Sequence, residues 1–320
     1  LGTATFVGFS GILATMSLSH AADVTFNGTQ VNVAAGGTST YDVGTVTAST
    51  TLNFAGAGTA TITNLNGDAP EAVLTVNRVA NGGVNLSTLN LNGPGTFNGV
   101  ISLFSNTTAG TQNNFLNLNH ALAAQYATIR LGGHGYATGA SVLKAGVNTS
   151  ISKLEHNNTA ALITGEGTTL TITGDSSSYG GSFGGTVTVD YTGGGTFTLG
   201  NSDKTVALTP AASADATLKI SSGTLSLFSG NVNWSQKLVM GDGTTLTVQD
   251  GPAVTGYYNY DAASINGDGF TFSGTTTFGT GVNLTTQYGK NIKFTGVLTA
   301  VSGFSISGAD SEYTYYTCLL

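Results

Sequence analysis

The sequence predicts an all-β solenoid, and three observations carry that prediction. Apolar residues alternate with Thr and Ser at a period of two, glycine-rich turns recur at intervals of roughly 8 to 12 residues, and one strand-and-turn idiom persists along the 320-residue chain. Thr169-Leu170-Thr171-Ile172-Thr173, Thr186-Val187-Thr188-Val189, Thr196-Phe197-Thr198-Leu199 and Thr245-Leu246-Thr247-Val248 each read as a strand with one apolar face. Asn66-Gly67-Asp68, Asn92-Gly93-Pro94-Gly95, Thr192-Gly193-Gly194-Gly195, Gly241-Asp242-Gly243 and Asn266-Gly267-Asp268-Gly269 supply the turns. A β-sandwich is the alternative, but a sandwich or barrel of this length calls for larger side chains and two-residue hairpin loops. Monotony favours stacked coils. Parallel sheets usually read as unbroken apolar runs because both faces are covered, whereas a solenoid leaves its outer face bare, so alternation is compatible with parallel pairing.

Composition agrees. The chain is 40% hydrophobic and only 8% charged, so Thr, Ser and Asn must cover its surface, as suits β-rich extracellular proteins. Forty-seven glycines against four prolines favour many tight turns and short elements. A net charge of −7, with nine Lys and Arg scattered singly, leaves no basic stripe for a phosphate backbone, and nucleic acid is not an expected partner. The single cysteine, Cys318, provides neither a disulfide framework nor a thiolate metal cluster, and no cofactor is expected.

Along the chain, residues 1–21 stand apart. Phe6 to Met16 is a modest apolar run followed by Ser19-His20-Ala21, the spacing of small residues found at a signal-peptidase site, so 1–21 read as the back of a secretory leader, with an ordinary first strand as the alternative. Residues 22–320 read as one solenoid unit, cut from a longer chain. At roughly 20 to 25 residues per coil this gives about 12 to 15 coils and a rod of about 60 to 70 Å. The least regular stretch runs from about Asn113 to Asn158, where Ala121 to Tyr126 suggest a short helical or looped insertion.

Leu170-Thr171-Ile172-Thr173-Gly174-Asp175-Ser176-Ser177-Ser178-Tyr179-Gly180-Gly181, continuing through Gly185-Thr186-Val187-Thr188-Val189 to Gly195-Thr196-Phe197-Thr198-Leu199-Gly200, resembles the autotransporter-associated β-strand repeat. That repeat has a strand, a glycine, a polar turn closed by Tyr and Gly-Gly, then another strand. Echoes occur at Leu89 to Ile101 and at Lys293 to Leu298. The resemblance implies a single-stranded right-handed parallel β-helix in the passenger region of a surface-displayed or secreted bacterial protein. It implies an outer-membrane barrel only through segments beyond this sequence, and it carries no catalytic residues.

Carbohydrate-active β-helices need paired carboxylates or a calcium cluster beside a basic residue. The nearest approach is residues 120–156, which hold His120, Arg130, His134, Lys144, Lys153, Glu155 and His156. Lys153 and Glu155 are expected to be kept off a common face, because Ile151 and Leu154 each claim the interior from opposite parities. A polar surface excursion is the better reading of this stretch, with a polysaccharide lyase or glycosidase as the alternative function. Asp242 and Asp268 sit between glycines without the alternating carboxylates of a calcium loop, so they read as turn residues, and no metal site is expected. Gly180-Gly181-Ser182-Phe183-Gly184 matches Gly-x-Ser-x-Gly but reads as a turn between strands. Tyrosines cluster at Tyr257, Tyr258 and Tyr260 and again at Tyr313, Tyr315 and Tyr316; packing of a loop over the rod is the better reading of them, and Tyr257, Tyr258 and Tyr260 are the candidate ligand-binding residues, since a tyrosine offers a flat apolar face ending in a hydroxyl. Thr-x-Thr pairs such as Thr59-Ala60-Thr61, Thr186-Val187-Thr188 and Thr196-Phe197-Thr198 raise the possibility of an ice-binding grid, but their irregular intervals favour ordinary outward threonines. The expected function is a non-enzymatic structural or adhesive segment, secreted or displayed on a bacterial surface, with host or bacterial glycans or proteins as partners.

Overall fold

The computed structural model describes residues 3–7, 13–17, 21–78, 85–105, 112–132, 141–156, 161–199, 215–228, 232–234, 236–249, 269–272, 275–286, 291–294, 296–300 and 305–308. These residues form an all-β solenoid of parallel strands, with no helix among them. A twelve-stranded sheet runs the length of the coil stack. An eight-stranded sheet lies beside it in the first half, and six-stranded and three-stranded sheets accompany it in the second. Thr3–Val7 and Leu13–Ser17 form a separate antiparallel pair.

The coil changes its outline midway. Up to Thr149–His156 it shuttles between the eight- and twelve-stranded sheets. Ala161–Gly165, Thr169–Ile172 and Ser176–Tyr179 then make a three-sided coil, and Ser182–Gly185, Thr188–Tyr191 and Thr196–Leu199 repeat it directly above. Beyond that point the eight-stranded sheet ends, and Val232–Trp234, Gly269–Phe272 and Asn291–Phe294 supply the third side.

Alternation becomes ladders because each strand repeats the inward parity of the strand below. Leu170, Val189, Leu218 and Leu238 stack in one inward column, and Ile172, Tyr191, Ile220, Met240 and Phe278 in the next; all are essentially inaccessible to solvent. Phe197, Leu225, Leu246 and Leu284 form the corresponding column of the six-stranded sheet. Each such leucine or phenylalanine contributes about 1.5–3 kcal/mol by leaving water. Polar ladders run alongside: Asn53 Nδ2 donates to Asn32 Oδ1 at 3.1 Å, Asn117 Nδ2 to Asn90 Oδ1 at 2.7 Å and Asn119 Nδ2 to Asn92 Oδ1 at 2.8 Å. The amide is suited to this, since it carries both a donor and an acceptor, and Asn90 uses both, donating to Thr61 Oγ1 and accepting from Asn117.

Coil length is less regular than the expected 20 to 25 residues. Hydrogen-bonded groups on successive coils lie 19 residues apart at Gly167 and Thr186, 29 at Asp190 and Lys219, and 38 at Asp242 and Thr280. The extra residues fall between strands in the sequence, and strand register is kept on either side of them. Of the Thr-x-Thr pairs named above, Thr59-Ala60-Thr61 lies on the eight-stranded sheet, Thr186-Val187-Thr188 leads into the twelve-stranded sheet and Thr196-Phe197-Thr198 lies on the six-stranded sheet, so these three do not form one grid. On the six-stranded sheet Ser176, Thr196, Thr224, Thr245, Asn283 and Ser305 share one register column, two residues from a second column of Ser178, Thr198, Ser226, Thr247, Thr285 and Ser307.

The Tyr179-Gly180-Gly181 turn shows why its residues are required. Tyr179 is fully buried, stacks on Phe183 with ring centroids 5.1 Å apart and planes 4° from parallel, and donates its hydroxyl to the Ser182 carbonyl at 2.7 Å. Burial pushes that hydroxyl well above the usual tyrosine range. A Cβ on Gly181 would collide with the Ala161 carbonyl and the Tyr179 hydroxyl. At the next corner Gly223 takes a left-handed φ of 80°, and a side chain there would strike the Gly195 carbonyl of the coil below.

Two expectations are corrected. Residues 121–123 form a turn, and Ala124–Leu131 is already a strand of the twelve-stranded sheet, so the stretch from Ala121 to Tyr126 is no helical insertion. Ser182–Gly185 is a strand paired with Ala161–Gly165, and only Gly180 and Gly181 of the Gly-x-Ser-x-Gly match make the turn.

Truncating the ladder at Phe197→Ala is expected to cost about 3–5 kcal/mol through the cavity it leaves. Gly181→Ala is expected to cost about 1–3 kcal/mol through steric conflict. Urea unfolding followed by the β-sheet circular dichroism signal measures both.

Candidate functional site

The ionisable residues of the 120–156 stretch come from three coils, and strand register decides which of them meet. Thr128 stands opposite Lys153 and Arg130 opposite Glu155 on the twelve-stranded sheet. In Thr149–His156 the inward residues are Ile151 and Leu154, both without solvent exposure, so two residues separate them where regular alternation would place one. That break falls before Lys153. Lys153 and Glu155 consequently do share the outer face, contrary to the sequence expectation.

Glu155 is the centre of the cluster. Arg130 reaches Glu155 Oε2 with Nε and Nη2, both at 2.8 Å, while Lys153 Nζ lies 3.0 Å from Oε1. Burial alone would raise the Glu155 carboxyl, but hydrogen bonds from Lys153 and Arg130, with the charges behind them, override it and hold the carboxyl below its ordinary value. The side chain is 25% exposed, which makes this a partly screened surface ion triad.

The other candidates lie apart from it. His120 belongs to a turn, where its Nδ1 accepts the Leu122 amide at 3.2 Å and its carbonyl accepts the Thr149 hydroxyl at 3.2 Å. His156 packs its ring against buried Tyr179, centroids 5.6 Å apart. Lys144 is exposed on the eight-stranded sheet, in register with Asn117 and Thr164. His134 lies outside the described residues, as do Tyr257, Tyr258, Tyr260, Tyr313, Tyr315, Tyr316, Asp268 and Cys318. Asp242 caps a corner: its Oδ1 accepts the Thr280 amide of the next coil at 2.7 Å, the turn role expected of it. Ser182 is buried in its strand.

A carboxyl serving as a general acid at neutral pH must be raised, with a second carboxylate across the substrate. Glu155 is shifted the other way, and its contacts are two cations. Such a triad pins two coils together: Arg130 and Glu155 lie 25 residues apart in sequence and on adjacent strands. Among the described residues no group of three His, Cys, Asp or Glu is placed to hold a metal ion.

No family model, curated protein or solved structure matches the chain. Its assignment as a parallel β-solenoid rests on its own strand pairing.

The double Ser and Thr column of the six-stranded sheet is an alignment that the irregular intervals in the sequence concealed. Its signal was present: Ser176-Ser177-Ser178, Thr196-Phe197-Thr198, Thr224-Leu225-Ser226 and Thr245-Leu246-Thr247 share one pattern. The Leu154 amide donates at 3.1 Å to the Oγ of Ser177, the buried residue between the two columns, and so ties Ser176–Tyr179 to the end of Thr149–His156.

Because the folded Glu155 carboxyl titrates below its unfolded counterpart, its contribution is complete above the ordinary glutamate range and is lost as pH falls through the lowered value. Glu155→Gln is expected to lower stability by about 0.5–1 kcal/mol at pH 7 and low salt. The difference from the parent should shrink as the pH is taken below the carboxylate range and as salt is added, both read from urea midpoints.

Proposed function

We propose that this chain is a non-enzymatic structural and adhesive segment of a bacterial surface or secreted protein, of the passenger kind that the Leu170 to Gly200 repeat resembles. The observation that carries this reading is the coil stack itself. Parallel strands in register over a twelve-stranded sheet make a stiff support whose side faces repeat the same polar chemistry at every coil. Weak contacts repeated at fixed spacing add by avidity, so a partner of matching periodicity is held without a deep pocket. Low charge and a surface of Ser, Thr and Asn fit an extracellular setting and partners among glycans or surface proteins.

On this reading the leader-like residues 1–21 belong to the export route, and anchoring in an outer membrane belongs to other segments. The ion triad is a structural clamp. A polysaccharide lyase or glycosidase is the competing function, for which the triad would have to act on a glycosidic bond.

One experiment separates the two. The purified chain is coupled to beads at high density and applied to arrays of host and bacterial glycans, while free chain is incubated with a polysaccharide panel and the release of reducing or unsaturated ends is followed. Retention that requires dense coupling, with no ends released, is the expected result. Release of ends that is abolished by Glu155→Gln would establish the enzyme instead.

A further inference from the structure

Inward columns of the solenoid are apolar in most places, and one on the eight-stranded sheet is not. Gly58, Ser87, Asn114, Ser141 and Ala161 occupy one register position on five successive strands. Ser87, Asn114 and Ser141 have the inward parity of Leu89, Leu116 and Leu143, which lie two residues further along the same strands and are wholly buried. Ser87 is 0% exposed, Asn114 1% and Ser141 3%. Polar side chains at that depth need hydrogen-bond partners.

The place of the column accounts for part of its polarity. It stands near the start of each strand, just past the corner at which the chain crosses from the twelve-stranded sheet to the eight-stranded one. Two of its side chains serve carbonyls at that corner. Asn114 Nδ2 donates to the Phe104 carbonyl, and Ser141 Oγ donates to the Leu103 carbonyl at 3.4 Å while accepting the Gly132 amide at 3.2 Å. Ser141 is thereby satisfied. Asn114 is satisfied only on one side, and its orientation is fixed, because the amide nitrogen alone can donate to a carbonyl. Its Oδ1 is turned away from Phe104 and has no hydrogen-bond partner among the described residues, and the same is true of Ser87 Oγ on the adjacent strand.

These two oxygens call for one small molecule between them. Oδ1 can only accept, a hydroxyl can donate or accept, and the two do not bond each other directly. Their column is built from side chains no larger than that of serine apart from Asn114 itself, where the adjoining column carries Ala60, Leu89, Leu116, Leu143 and Ile163. Water donates as well as accepts and is held inside proteins by roughly two to four polar groups of this kind. Calcium suits the place poorly, since it takes roughly six to eight oxygens with carboxylates among them, and the column contains no carboxylate.

We propose that a water molecule is bound inside the solenoid between Asn85–Leu91 and Gln112–Leu118, donating to Asn114 Oδ1 and bonded to Ser87 Oγ, as an integral part of the fold. It ties these two strands from within, as the Asn117 to Asn90 bond ties them from outside. The inference concerns the coil interior and does not rest on the adhesive reading.

The deciding measurement is a crystal structure of the purified chain at a resolution that shows ordered water. One water-sized peak within hydrogen-bond distance of both Asn114 Oδ1 and Ser87 Oγ is the expected result. A direct bond between Ser87 Oγ and Asn114 Oδ1 with no peak between them overturns the proposal, and so does a peak ringed by six or more oxygens at about 2.3–2.6 Å, which is a cation. Asn114→Leu should remove the peak, whereas Thr88→Ala, outward beside Ser87, should leave it in place. An unchanged peak in Asn114→Leu overturns the assignment to that amide. Should Asn114→Leu lose the β-sheet circular dichroism signal, Ser87→Ala takes its place: a weakened peak is then expected, and a peak as strong as the parent's counts against the site.

Discussion

Everything in this molecule depends on parallel pairing in register, coil upon coil. A parallel ladder requires each strand to place its residues directly over equivalent residues of the strand below, and the period of two then fixes which of them face inward. A slip of one residue at Thr217–Ile220, for example, would turn Leu218 and Ile220 outward and set Thr217 and Lys219 against Val189 and Tyr191 in the core. The cost of burying an ammonium without a partner makes that slip prohibitive. Register is therefore guarded on both sides of the sheet. Hydrophobic ladders hold it from within, and side-chain bonds such as Lys219 to Asp190 and Asn117 to Asn90 hold it from without.

The corners carry the tolerance that the strands lack. Coils of 19 and of 38 residues belong to the same stack because the additional residues fall between strands and not within them. Loop-closure entropy grows only slowly with length, so such insertions cost little provided the strands on either side return to position. The tight corners pay in composition instead, for at Gly181 and Gly223 the neighbouring carbonyl leaves no room for a Cβ. Glycine abundance in this sequence is thus partly a consequence of stacking, where carbonyls of one coil approach the backbone of the next.

Much of the fold was legible because it is written in local periodicity. Thr169 to Thr173 and Thr196 to Leu199 announce strands with one apolar face, and both are strands of the solenoid. What periodicity could not convey was position in the stack. Thr196-Phe197-Thr198 and Thr245-Leu246-Thr247 look unrelated because chain separation between coils is uneven, yet both flank the Thr224–Phe228 strand in register. For the same reason Lys153 and Glu155 were assigned to different faces. Ile151 and Leu154 correctly predicted a broken alternation, but the sequence does not say on which side of Ser152 the break lies. His120 and Lys144 are near Glu155 in sequence and remote from it in role, because a coil carries neighbouring residues to different sheets.

This separation of sequence distance from spatial distance bears on how a solenoid gains a functional face. An enzyme site needs a few groups of different chemistry brought within ångströms of one another, and a solenoid wall offers that only where a corner or an inserted loop overhangs it. A repetitive wall offers the opposite. It places one group many times at fixed spacing, as the Ser and Thr columns do from Ser176 to Thr247. Each coil need contribute only a hydroxyl at the same outward position, which is also the residue that a strand exposed on one side already favours. A face of this kind therefore arises with few changes from ordinary coil sequence. The inward ladders that keep Phe197 above Ser177 and below Leu225 are thus also what keep Thr198 in line with Ser178 and Ser226.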